Sequence, residues 1–62
     1  MNFKTFMDKY DNWNGITRVN DDELNTIVED TTYVIMDTRT DLFDKEVVAF
    51  GFYEEILAVR VK

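Results

Sequence analysis

The chain has 62 residues, a formal net charge of −6 and no Cys, His, Pro or Ser. That length allows one small domain, residues 1–62, which buries only about 60% of the surface its unfolded form exposes. The missing residue types exclude disulfides, ordinary zinc sites and every Ser, Cys or His catalyst, leaving carboxylates, Lys, Arg, Tyr and Thr. Binding, with no enzyme activity, no metal and no cofactor, is the class this composition points to.

From Asn2 to Tyr10, Phe3, Phe6, Met7 and Tyr10 recur at i, i+3, i+4 and i+7, the single face of an amphipathic helix. Asn2 is placed to cap it, with Lys4, Asp8 and Lys9 toward water. Asp11-Asn12-Trp13-Asn14-Gly15 reads as a loop ending in a strong turn dipeptide. Ile16 to Val19 reads as a short strand. Two signals then compete. Asn20 and Glu23 form a capping box with Val19 stapled on Leu24, which favours a helix start. The β-branched Thr26, Ile27 and Val28 favour a strand. The strand reading, Leu24 to Val28 after a loop over Asn20 to Glu23, is preferred. Thr32 to Phe43 is expected to be a short helix that turns Val34, Ile35, Leu42 and Phe43 inward.

The C-terminal segment alternates with the period of two that a strand requires. A turn at Glu54-Glu55 places Tyr53 opposite Ile56, Phe52 opposite Leu57, Phe50 opposite Val59 and Val48 opposite Val61. One face is then wholly apolar, which fixes the register. The predicted fold class is α+β: two layers, with the N-terminal helix packed on a small antiparallel sheet that ends in this hairpin. Phe50 should pack against Phe6, and its truncation to Ala is expected to cost about 3–5 kcal/mol. The second sheet face, carrying Val47, Ala49, Gly51, Tyr53, Ile56, Ala58 and Arg60, is free unless residues 32–43 cover it. A free face of that kind suits a homodimer or another assembly contact.

Apart from its fold, the chain is acidic, with a pI near 4.3. Direct contact with nucleic acid or anionic lipid is disfavoured, because phosphates attract Lys and Arg. No apolar run approaches the roughly 18–20 residues that span a bilayer, so no membrane contact is expected. Met1-Asn2-Phe3-Lys4 lacks the apolar stretch of a signal peptide, and a cytoplasmic location is expected. Tyr10 to Asp21 nearly aligns with a calcium-binding loop, but Tyr10 holds the first ligand position and Asp21 the place of a bidentate Glu. A solvated loop is the expectation there. A glycosidase carboxyl pair needs a cleft that 62 residues can hardly build.

The carboxylates Asp21, Asp22, Glu23, Asp37, Asp41, Asp44, Glu54 and Glu55 are the candidate partner contacts. Rows of Asp and Glu on a small rigid body imitate the phosphates of DNA, which carries one charge per about 1.7 Å of axis. Such a surface would occupy a basic nucleic-acid groove. A solvated acidic face that serves solubility is the plainer reading of the same residues. Trp13, the single tryptophan, either caps the core or anchors a partner.

The short acidic chain, its N-terminal helix and the segment Asp41-Leu42-Phe43-Asp44-Lys45-Glu46-Val47-Val48 before a terminal hairpin resemble small proteins of bacteriophages and mobile elements. Anti-CRISPR and anti-restriction inhibitors share this size and charge. The resemblance implies a phage protein in the host bacterial cytoplasm that binds and disables a nucleic-acid-binding defence nuclease, often as a DNA mimic. No site residue carries over, since such inhibitors share no common sequence pattern.

Overall fold

A computed structural model describes residues 1–10 and 13–62. Asn2 caps the first helix as its position suggests: its side-chain oxygen accepts from the Thr5 amide at 2.8 Å. Helix α1 spans Phe3–Asp8 and buries Phe3, Phe6 and Met7. It is shorter than the Asn2–Tyr10 reading, because Lys9 ends it and Tyr10 leaves the helix half-buried. Strand β1 is Ile16–Asn20 and β2 is Thr26–Thr31. The preferred hairpin is therefore present, but its second strand starts later than Leu24. Asp21 holds the connecting turn, its carboxylate accepting from the amides of Glu23 and Asn25 at 2.9 Å each. Leu24 sits in that turn at φ 67 and cannot extend a strand.

Helix α2 covers Thr32–Thr38, and a single 3-10 turn follows at Thr40–Leu42. The predicted helix over Thr32 to Phe43 is thus broken at Arg39. Its first amides are satisfied from the preceding loop rather than by a side-chain cap: Thr32 donates to the Gly15 carbonyl at 2.8 Å and Tyr33 to that of Trp13 at 3.1 Å. Ile35 and Leu42 are buried and Phe43 packs beside them, as expected. Val34 faces water instead, because Ile35 takes the inward position.

Strands β3, Val47–Tyr53, and β4, Ile56–Val61, form the C-terminal hairpin. Phe50 pairs with Val59, Phe52 with Leu57 and Tyr53 with Ile56, the register the alternation gives. Val61 pairs with Val47 rather than Val48, since a bulge between Val47 and Ala49 makes Val48 the extra residue. The bulge turns Val47 onto the core and leaves Val48 exposed, reversing the faces predicted for both.

The four strands form one sheet in the order β2-β1-β4-β3. The two hairpins are antiparallel, but they join along a parallel β1–β4 pair, Ile16 opposite Ile56. The sheet is mixed rather than wholly antiparallel. Strand order explains the burial. The inner strands supply the buried Val19, Leu57, Val59 and Val61, which share one cluster with Phe3, Phe6, Met7, Ile35 and Leu42 from the helical segments. Phe50 and Phe52 face the same side, yet lie on the outer strand and stay 54% and 55% exposed. The alternation alone places both inside, and the marginal position of β3 is what leaves them exposed. Phe6 does reach Phe50, ring centroids 4.9 Å apart, and Tyr10 lies 5.8 Å from Phe50 and 6.4 Å from Phe52. Thr17 and Thr32, both buried, satisfy their hydroxyls by bonding to each other.

Candidate binding surface

The parallel seam determines where the acidic residues fall. Asp21, Asp22 and Glu23 follow β1 and sit at one end of the sheet, beside Lys45 and Lys62. Glu54 and Glu55 precede β4 and sit at the opposite end, beside Asn14, Gly15 and Ile16. Five strand residues separate the two turns, so the two groups stand roughly 20 Å apart. Asp37 belongs to α2, Asp41 to the 3-10 turn, and Asp44 follows it. The structure therefore does not gather the eight carboxylates onto one surface. It sets one group at each end of the sheet and a third along the helical segments.

Their engagement differs as well. Asp21 is occupied by backbone amides. Asp41 is held by a two-bond fork from Arg39, at 3.0 and 2.9 Å. The hydrogen bonds and charge of Arg39 hold the Asp41 carboxyl below its ordinary pKa, and Asp41 raises that of Arg39. Ion pairs also join Lys4 to Asp8 and Arg18 to Glu29. Among the described residues Asp22, Glu23, Asp37, Asp44, Glu54 and Glu55 enter no ion pair, and all six are exposed. Glu54 adds a backbone signature. Its φ of 59 puts a non-glycine residue in the left-handed region at the first position of a tight turn, where glycine usually stands. Strain of this kind persists only where the surroundings impose it.

Trp13 is 36% exposed and absent from the core cluster. It lines an open depression of about 250 Å³ with Lys4, Asp8, Tyr33, Met36, Asp37 and Phe43. The second sheet face is free of α2, whose buried residues lie in the core on the other side. It carries Ala49, Gly51, Tyr53, Ile56, Ala58 and Arg60, without Val47.

Sequence reasoning missed the outer strand. Phe50, Phe52 and Tyr53 expose large rings along an edge, and Met1, Phe6, Lys9, Tyr10, Val47 and Phe50 line an open depression of about 480 Å³ beside it. The signal was present in the uncharged run Val47 to Tyr53, but strand order decides whether such a run is central or marginal, and order is not a local property. Among the described residues no group of three or more Asp or Glu is placed to hold a metal ion. Part of the calcium-loop alignment, positions 11 and 12, lies outside the described residues. No described helix is long and apolar enough to cross a membrane. Comparison with protein-family models, with curated proteins and with solved structures finds no match to this chain.

Proposed function

We propose that this chain is a non-enzymatic inhibitor of phage type that binds a basic, nucleic-acid-binding protein of the host bacterium. The observation that carries the reading is the pair of exposed acidic turns, Asp22-Glu23 and Glu54-Glu55, held at opposite ends of one sheet and, among the described residues, joined by no ion pair. A basic groove that accepts successive phosphates can accept carboxylates spread over such a span, whereas a single patch would engage only part of it. The plainer reading, a charged surface for solubility, does not call for a strained Glu at the tip of a hairpin.

Capture from host lysate on immobilised protein tests the proposal. A nucleic-acid-binding protein should be retained at low salt and released as ionic strength rises, because exposed charges are screened beyond about 8 Å at physiological salt. Changing Glu54 and Glu55 together to Gln should weaken retention without unfolding the chain. Retention that ignores both salt and these carboxylates would refute the proposal.

A further inference from the structure

The two edges of the sheet are built differently. β2, at one edge, carries Glu29 and Asp30, charges that discourage pairing with another strand. β3, at the other, runs Val47-Val48-Ala49-Phe50-Gly51-Phe52-Tyr53 with no charge and no Pro. Its first residues are already covered: Asn2 bridges Glu46, and the Val47 amide donates to the Met1 carbonyl at 2.9 Å. Beyond the bulge, Ala49 to Tyr53 have β4 on one side and no described strand on the other. Tyr53 and Ile56 flank a two-residue turn and so bond each other, which leaves the N–H and C=O of Phe50 and Phe52 directed outward.

From this geometry we infer that β3 is a docking edge which accepts an extended segment of the partner protein as a fifth strand. The segment has alternate apolar residues and a Lys or Arg at the end lying beside Glu54 and Glu55. The inference rests on the basic-partner reading above and specifies how that partner binds. Backbone groups of Phe50 and Phe52 supply the ladder, and the rings of Tyr10, Phe50 and Phe52 supply an apolar surface for every second side chain. Charge fixes the polarity of the segment. The Met1 end of the edge has Lys9 beside it, whereas the far end has two carboxylates that form no ion pair among the described residues.

Charge also selects against a second copy of the chain. In the symmetric antiparallel pairing over Ala49 to Tyr53, Glu54 and Glu55 would lie opposite Val48 and Val47, with Lys9 as the nearby cation, against an acidic surface on both copies. Each copy would moreover bring a net charge of −6 to the contact.

The test uses two peptides, Lys-Lys-Val-Thr-Val-Thr-Val and its twin with Glu for both Lys, titrated into ¹⁵N-labelled protein at low salt. The Lys peptide should shift the amides of Phe50 and Phe52 and bind about tenfold more tightly than the twin, given what two cross-strand charge pairs contribute. Phe52→Pro, which removes an outward N–H but no bond to β4, should abolish binding. Phe52→Lys, which places a charge on the edge, is the second variant should the first unfold. Shifts confined to the acidic turns, binding that survives either folded variant, or no binding by either peptide would overturn the docking edge while leaving the basic-partner reading standing. Equal binding of the twin would instead overturn the charge argument shared by both.

Discussion

Truncating Phe50 and Leu57 to Ala in parallel tests the placement of β3 at the margin of the sheet. The two residues lie on adjacent strands and face the same core, but Leu57 is fully buried and Phe50 is 54% exposed. Deleting a buried Leu side chain costs about 2–5 kcal/mol and a buried Phe about 3–5 kcal/mol. With about half its surface already in water, Phe50→Ala should cost roughly 1.5–2.5 kcal/mol. A 62-residue domain has about 3–9 kcal/mol in total. Leu57→Ala therefore removes much or all of the stability, whereas Phe50→Ala leaves a folded protein. The Phe50 variant should melt about 6–20 °C below wild type, and the Leu57 variant lower still or without a cooperative transition. Thermal melts followed by circular dichroism, with urea titrations to check that the m-value holds, read both. If Phe50→Ala is as damaging as Leu57→Ala, β3 is an inner strand and the argument for a docking edge fails with it.

Other consequences are as accessible. Thr17→Val should cost about 1–3 kcal/mol by stranding the buried hydroxyl of Thr32, yet the double change of both residues to Val should be far milder than the two single costs added; additive costs in a double-mutant cycle would refute the pairing. Glu54→Gly should relieve the left-handed backbone by roughly 0.5–1 kcal/mol and raise the melting temperature while weakening capture of the basic partner. A lower melting temperature would show that the turn is unstrained. The Asp41 carboxyl should titrate below the ordinary range and return to it in Arg39→Gln, read by carbon NMR across acid pH. Because its folded-state pKa is lowered, whatever the pair contributes is complete above the ordinary carboxylate pKa and is lost as pH falls through the lowered value. An unchanged midpoint in the variant would remove Arg39 as the cause.

Local pattern carried a good part of this fold. Phe3, Phe6 and Met7 declare a helix face, and Phe50 opposite Val59 follows from alternation once the turn is placed at Glu54-Glu55. Three features escaped it, each because the deciding contact is distant or collective. The parallel pairing of Ile16 with Ile56 leaves no trace in either segment. Without strand order, exposed Phe50 and buried Leu57 look alike, since both are large apolar residues in alternating strands. The bulge at Val48 adjoins the pairing of Met1 and Asn2 with Val47 and Glu46, a contact between chain regions with no common pattern. The candidate site was legible to the same degree. Composition identified the carboxylates, but their division between the two ends of the sheet follows from the seam.

The seam has a consequence for cooperativity. Each hairpin closes over a short turn at little entropic cost. The β1–β4 pair instead joins residues forty positions apart, Ile16 with Ile56, and by the logarithmic law for loop closure that adds about 3 kcal/mol. A lone two-stranded hairpin is at best marginal in water, so neither half gains a stable intermediate by folding early. The halves become stable only when Val19 and Val59 meet along the joint and the helices cover them. The chain therefore unfolds as a single unit, and a weakness at the joint is felt at both acidic turns together.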